Sequence, residues 1–375
     1  MSLRFRSTLL LVNPTRNPRA VGRLKKYLHQ VPGIDIVVPG SKSEFLDRVR
    51  LFAGSDYMNL LIWGGDGTAH DAINALYTTD SPGPHDGKSI GFLRGGTGNG
   101  IQDSYSVPYR LKHQLEAYAD SIQNNLTIDV DLLETRDGRR HLYGQLIGVG
   151  ADAEVLRQRD LKARVNRRGQ EHVRSGFRFY LQAGLSVLFG RRFHERLALD
   201  VHLAHGRYAF SGPRVNAQFP FDALELKRAP FMLEIGTRPY YGKLFRVCPD
   251  VVCNDGFCDL YVFDFRNRRE VVGNVWYIWN GRHGRINRLK RRSHRPVIER
   301  YEVQEVELRC GSPFHYHIDG ELITLSDQAS DGTYRLHVRV LPQAIRFLVP
   351  RAYYALYHPF DQILATSREH HEDTT

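Results

Sequence analysis

The chain has 375 residues, enough for two domains with cores of their own, and its 42% hydrophobic and 25% charged content is that of a globular protein. No apolar run approaches the roughly 18 residues of a membrane-spanning helix. A net charge of +11 implies an anionic partner: nucleic acid, a membrane surface or a phosphorylated ligand.

Arginines precede the short apolar run Thr8–Val12, but there is no small-residue cleavage site and Asn13-Pro14 ends the run. A first β-strand explains this better than a signal peptide. Val21, Leu24, Tyr27 and Leu28 have helical spacing, Gly33 to Val38 reads as a second strand, and Phe45, Leu46, Val49 and Phe52 mark a second helix. Tyr57 to Trp63 is a third strand. It runs into Gly64-Gly65-Asp66-Gly67-Thr68 and then a helix-compatible stretch to Leu76. Ser89 to Leu93 is a fourth strand, and Leu111 to Ile122 carries another helical pattern. This alternation predicts a parallel sheet with helices on both faces and ligands beyond the strands' carboxyl ends.

After residue 128 the pattern changes to alternating strands: 128–133, 141–147, 197–203, 231–235, 258–263, 303–308 and 334–340. One helix is expected among them, from the stripe Phe177, Tyr180, Leu181, Gly184, Leu185 and Leu188. The domains are read as 1–128 (α/β), 129–342 (β-rich) and 343–375 (a segment returning to the first domain, then a polar tail). Cys248, Cys253, Cys258 and Cys310 form no Cys-x-x-Cys pair and read as buried thiols of a cytosolic protein.

A strand that ends in glycines and opens into a helix is a phosphate cradle, because backbone N–H groups and the helix N-terminus favour anionic oxygens. Asp66 inside such a cradle would repel phosphate unless it meets a metal or a proton, which points to phosphoryl transfer. Two more turns fall at the same sheet edge: Asn13-Pro14-Thr15, and Gly95 to Gly100. The Walker pattern is absent. Gly148-Val-Gly150-Ala-Asp-Ala153 spells a dinucleotide fingerprint but lies in the β-rich region, and reads as a tight strand turn. Asp319-Gly320 by itself is a hairpin turn. His315 and His317 alternate on one strand face and read as incidental rather than metal-binding.

Taken in order, Val12-Asn13-Pro14, Gly64 to Asn74, Gly96-Thr97-Gly98-Asn99, Gly148 to Asp152, Pro249-Asp250 through Asn254-Asp255-Gly256 and Asp259, Gly281-Arg282-His283 and Ile318-Asp-Gly-Glu321 resemble the diacylglycerol kinase catalytic-domain superfamily, which includes sphingosine and other lipid kinases. The resemblance covers about residues 8–349. It implies an NAD-kinase-type Rossmann-like domain and a C-terminal antiparallel β-sandwich, with the active site in the cleft between them. It also implies ATP and Mg²⁺. Asn13, Pro14, Thr15, Gly64, Gly65, Asp66, Gly67, Thr68, Asp71, Gly96, Thr97 and Asn99 would attend the nucleotide. Asp66, Asp319 and Glu321 would share the catalytic work, with the proton acceptor undecided among them. Asp255, with the backbone carbonyls of Val252 and Phe257, would hold magnesium, as in bacterial members; an all-oxygen set suits that ion. The chain departs from the family at Thr15-Arg-Asn-Pro18, at His70-Asp71 and at Gly100.

The implied function is transfer of the γ-phosphoryl group of ATP to a hydroxyl of diacylglycerol or a related lipid. The alternatives are a sphingoid-base kinase, an NAD-kinase-like soluble phosphotransferase and an inactive lipid-binding relative. The arginine patches at 157–196 and 282–295 suit an anionic membrane surface, giving a cytoplasmic, peripherally attached protein. No nucleic-acid module accompanies them. A homodimer is compatible with the sequence.

Overall fold

A computed structural model describes residues 3–13, 18–78, 81–82, 87–96, 98–138, 140–165, 177–190, 193, 195–211, 216–242, 245–289 and 296–359. The side chains of 18, 78, 81–82, 162–165, 177–181, 210–211 and 289 lie outside that description. The chain divides into two compact units: residues 1–130 with 345–375, and residues 131–344.

In the first unit β1 (Thr8–Val12), α1 (Pro18–Leu28), β2 (Ile34–Val37), α2 (Lys42–Ala53), β3 (Asn59–Gly64), α3 (Asp66–Leu76), β4 (Ser89–Arg94), α4 (Gly100–Ser104) and α5 (Leu111–Gln123) follow one another. The strands lie in the order β4-β3-β1-β2, all parallel, with Thr8 opposite both Asn59 and Ile34 and Asn59 opposite Ser89. Every residue of β1 and β3 is buried, as parallel strands covered on both faces require. Ser41 caps α2 by accepting the Glu44 amide. Residues after 344 complete this unit. Phe347 pairs with Ile90, and the Ser121 hydroxyl donates to the Val349 carbonyl at 2.7 Å.

The second unit is built on β5 (Thr127–Arg136), β6 (His141–Gly144), β7 (Leu146–Gly150), α6 (Ala151–Val165), α7 (Phe177–Phe189), β8 (Leu199–Ser211), β9 (Asn216–Arg228), β10 (Met232–Gly236), β11 (Cys258–Phe263), α8 (Arg268–Trp279), α9 (His283–Leu289), β12 (Ile298–Cys310), β13 (Phe314–Ile318), β14 (Glu321–Leu325) and β15 (Tyr334–Leu348). The order β14-β13-β7-β10-β11-β12-β15 is antiparallel throughout. β12 pairs with β11 over its first half and with β15 over its second, while β8 runs along its other edge. Val201, Leu203, Leu233, Ile235, Val303, Val306, Leu336 and Val338 fill the core between these strands. All four cysteines are buried and free. A final helix, α10 (Arg351–Tyr357), follows in the first unit.

Three local expectations are corrected. Residues 141–147 are two strands broken at Gln145, because that residue's amide donates to Asp319 instead of a ladder partner. Gly148–Ala153 is a strand-to-helix junction rather than a strand turn. Among the described residues four helices, not one, interrupt the β-rich region. α6 hid behind its charged residues, and the apolar stripe of α8 faces outward rather than into the core. β9 was also missed. It is an edge strand with hardly a buried residue, and it contains Pro220, which only an edge tolerates.

Candidate active site

In the first unit, two glycine turns meet backbone to backbone. A Cβ on Gly65 would stand 2.8 Å from the Gly98 carbonyl oxygen and 2.9 Å from the Gly96 Cα, and one on Gly96 would stand 2.3 Å from the Gly65 Cα. The Gly95 amide donates to the Gly64 carbonyl at 2.9 Å, and the Asp66 amide to that of Gly98 at 3.3 Å. Asp66 opens α3, and its Oδ1 accepts the Ile101 amide at 3.1 Å, tying the two turns together. Asn13 donates to the Thr68 hydroxyl at 3.0 Å, which fixes the end of β1 to the first turn of α3. Asn99 closes its own loop against Gly96. Asp71 is held by Lys42 at 2.8 Å. Gly67 differs from its neighbours: nothing lies within 4 Å of where its Cβ would be, and it is exposed. Protein packing does not require glycine there, whereas close approach of a ligand to the N-terminus of α3 would. Pro14, Thr15 and Thr97 lie outside the described residues.

In the second unit, Asp319 and Gly320 form the two-residue turn between β13 and β14, both at positive φ (50° and 87°), and Ile318 faces Glu321. The two carboxylates of this turn have different surroundings. Asp319 is buried. It accepts the amides of Gln145 (3.1 Å) and Leu146 (3.1 Å) and pairs with the equally buried Arg238 at 3.0 Å. Arg238 also donates to the Tyr240 carbonyl. Glu321, one residue past the turn, is exposed. A carboxylate committed to a guanidinium and two amides makes a poor proton acceptor, whereas an exposed one remains able to act.

The Asp255 segment is anchored from below. Asp131, fully buried, accepts the Gly256 amide at 2.8 Å and the Gln343 amide at 2.7 Å, and its own amide donates to the Cys253 carbonyl. Burial, reinforced by the charge of Asp255, raises Asp131 to about 6. Desolvation and the nearby Glu302 likewise raise Asp255, while the Phe257 amide it accepts pulls the other way. Glu302 is paired with Arg207 and Arg300, but among the described residues Asp131 and Asp255 form no ion pair, which leaves a deficit of positive charge at this oxygen-rich loop. A hard divalent cation held by Asp255 and the carbonyls of Val252 and Phe257 would fill it.

A third cluster joins Asp152 (α6), Glu234 (β10) and His317 (β13), whose candidate ligand atoms lie within 4.8 Å of one another. His317 Nε2 meets Asp152 Oδ2 at 2.5 Å, and the Gly320 amide donates to Nδ1 at 3.4 Å. That donor leaves the ring proton on Nε2, where it serves Asp152 rather than a metal. Burial and the charge of Asp152 push Glu234 well above the carboxylate range. Burial also opposes charge on Asp152, but His317, Glu234 and the Ala153 amide hold it lower. The three groups thus share protons, while Asp152 Oδ1 and Glu234 Oε2 are buried without a hydrogen-bond partner among the described residues.

A family model described as the diacylglycerol kinase catalytic domain matches residues 7–134. A second, the YegS C-terminal NAD kinase β-sandwich-like domain, matches residues 213–349. The chain belongs to the diacylglycerol kinase catalytic-domain superfamily. Its fold is that of solved proteins from Bacillus anthracis str. Sterne assigned as diacylglycerol kinases. One is 16% identical with a TM-score of 0.62, covering 93% of this chain and 97% of that one. Two others are 14% identical, with TM-scores of 0.60 and 0.59, covering 93% of this chain and 98% and 99% of theirs. No curated protein sequence matches it.

Two residues that hold the candidate site segments were not announced by the sequence. Arg238 ends the buried run of β10, and Asp131 sits in the buried run of β5. Nothing in the pattern signalled them: β5 also carries Asp129, Glu134 and Arg136, and Arg238 lies two residues past β10. His315 and His317 part ways: His315 meets Thr324 at 3.0 Å, and His317 is buried against Asp152. Of the first basic patch, Arg157 is bound to Glu154 and Arg159 to Asp160, and residues 166–176 lie outside the described residues. Of the expected stripe on α7, Gly184 and Leu188 are half-buried and Leu185 is exposed, while Ala183 and Val187, off the stripe, are the buried residues. Among the described residues no helix is long and apolar enough to cross a membrane.

Proposed function

We propose that this chain is an ATP- and Mg²⁺-dependent lipid kinase that phosphorylates a hydroxyl of diacylglycerol or a related lipid at a membrane surface. The observation that carries the reading is the pair of glycine turns: they meet so closely that only glycine fits, yet leave Gly67 open at the N-terminus of α3. In the first unit Gly65, Gly67 and Thr68 cradle the nucleotide phosphates, Asn13 holds Thr68 in place, and Asp66 orders the two turns. In the second unit Glu321 takes the proton of the acceptor hydroxyl, and Asp319, pinned by Arg238, sets the turn that carries it. Val252, Asp255 and Phe257 hold the structural cation. Magnesium, when bound with the nucleotide, neutralises charge on the transferred phosphoryl group.

The test is phosphate transfer from labelled ATP to diacylglycerol, phosphatidylglycerol, sphingosine and ceramide in mixed micelles, with NAD as soluble control and Asp66→Asn as blank. Label in one lipid, lost in the blank, is the expected result. Label in sphingosine alone makes it a sphingoid-base kinase, and label in NAD alone makes it a soluble phosphotransferase. Lipid binding with no label leaves an inactive relative.

A further inference from the structure

Helix α8 exposes what a helix usually hides. Trp276 is 67% exposed, Val272 53% and Val275 47%, whereas the opposite face buries Asn274 and Ile278. Positions 272, 275, 276 and 279 form one stripe at helical spacing, with Trp279 half-buried against Phe245 at 5.3 Å between ring centroids. Arg268, in the first turn, donates to the Gly190 carbonyl at 3.0 Å. It thereby brings the end of α7, where Phe189 is 63% exposed, alongside α8. A contiguous apolar patch of this kind on a soluble unit marks a binding surface.

Arginines border the patch. α8 ends in a left-handed turn at Gly281 (φ +66°), with the Arg282 amide on the Tyr277 carbonyl and the Gly281 amide on that of Ile278. This turn leads directly into α9, which carries Arg285 and Arg288. The Arg285 guanidinium lies 5.2 Å over the Tyr277 ring. Arg282, Arg285 and Arg288 are exposed, have no carboxylate partner among the described residues, and line a cavity of about 540 Å³ with Arg300 and Asn287. Arg300 is already neutralised by Asp259 and Glu302, and Asp250, the cavity's carboxylate, accepts the Tyr261 hydroxyl. The cavity therefore has surplus positive charge, and its lining begins at Gly281, just past the helix that carries the tryptophan-headed apolar stripe. One kind of partner offers anionic oxygens and hydrocarbon at that spacing, namely a bilayer containing acidic phospholipid.

We propose that α8 and α9 form the surface by which the protein docks on anionic membrane. The Trp276 stripe enters the headgroup–acyl boundary, and the α9 arginines hold headgroup phosphates. This rests on the lipid-kinase reading for its purpose but not for its geometry.

The experiment is flotation of the full chain with phosphatidylcholine vesicles and with phosphatidylcholine–phosphatidylglycerol vesicles, alongside activity on a short-chain soluble diacylglycerol. The wild type should float with the anionic vesicles only, more weakly as salt rises. Val272→Ser with Trp276→Ser should weaken binding about tenfold or more. Arg282→Gln with Arg285→Gln should weaken it about thirtyfold, the weight of two arginines near an anionic surface. Both variants should keep short-chain activity and unfolding temperature, and Leu51→Ser, an exposed leucine on the first unit, should change nothing. Wild-type failure to bind anionic vesicles, or unchanged binding in both variants, overturns the proposal. So does a wild-type dimer that the Trp276 variant dissociates, since the face would then join two copies. Vesicle binding that depends on Trp276 without phosphorylation of any lipid sustains the surface and removes the kinase reading. Lipid phosphorylation with binding indifferent to both variants does the reverse.

Discussion

Arg238 and Asp319 provide the sharpest test of how the second unit holds the turn that leads to Glu321. Arg238→Met removes the guanidinium but keeps an unbranched apolar side chain. The Asp319 carboxylate then stays buried with the Gln145 and Leu146 amides and no countercharge. Breaking a buried pair from one side costs about 3–5 kcal/mol. Asp319→Asn costs a similar amount from the other side, because Arg238 is 1% exposed and loses its counterion while the turn itself survives, asparagine being tolerated at positive φ. The double variant leaves no buried charge to strand, so its loss should fall short of the sum of the singles by about 2 kcal/mol or more. Urea unfolding of the four proteins measures this. Additivity within about 0.5 kcal/mol would refute the claim that the two charges are held for each other. Turnover per folded molecule, followed against pH, adds a second readout. If Asp319 only positions the turn, Asp319→Asn lowers turnover but keeps the acidic limb of the profile. Disappearance of that limb in folded Asp319→Asn would make Asp319 the base.

Glu321→Gln should leave stability within about 0.5 kcal/mol of wild type, since the residue is exposed. Its turnover should fall by about a hundredfold or more. Unfolding curves and steady-state kinetics check both. The glycines of the first turn should separate by the reason each is glycine. Gly65→Ala sets a Cβ 2.8 Å from the Gly98 oxygen and should lower stability by about 1–3 kcal/mol. Gly67→Ala should leave stability near wild type and raise the KM for ATP, and equal thermal shifts in the two variants would contradict this. His283 is buried against the Val247 carbonyl, and burial lowers its pKa from 6.5 to about 4. Below pH 6.5 the unfolded chain takes up a proton that the folded one refuses. Stability should therefore fall between pH 6.5 and about 4 by up to roughly 3 kcal/mol, then level off for this group. A His283→Gln protein that loses stability with acid over this range as steeply as wild type would exclude the contribution.

The first unit was legible because its strands are apolar runs bounded by glycine turns and its helices keep one buried stripe. β1, α5 and β4 start and end within a residue of where the pattern puts them. The second unit hid elements whose pattern is not set by burial in the unit's own core: the exposed edge strand β9, the charged helix α6, and α8 with its outward apolar face. The site divides along the same line. The turn residues Gly64 to Thr68 and Asp319 to Glu321 are contiguous and could be read. Arg238 and Asp131 act on residues 81 and 125 positions away. Partners so distant in sequence leave no spacing to recognise.

Two carboxylates separated by one glycine receive different assignments for the same reason. The Asp-Gly turn requires its first residue to adopt positive φ, and that conformation folds the Asp319 side chain back onto the break between β6 and β7. There it supplies the acceptors that Gln145 and Leu146 lack, and its charge requires Arg238. Glu321 is the first residue of β14, alternates outward, and owes nothing to the core. Sequence motifs treat Asp-Gly-Glu as a unit, but the pleat and the turn separate it into a buried strut and an exposed carboxylate. The same logic separates Asp66 from a passive phosphate binder. Its Oδ1 is committed to the Ile101 amide, so the residue that would repel a phosphate is drawn toward α4, and the amide edge of α3 at Gly67 is left to receive an anion.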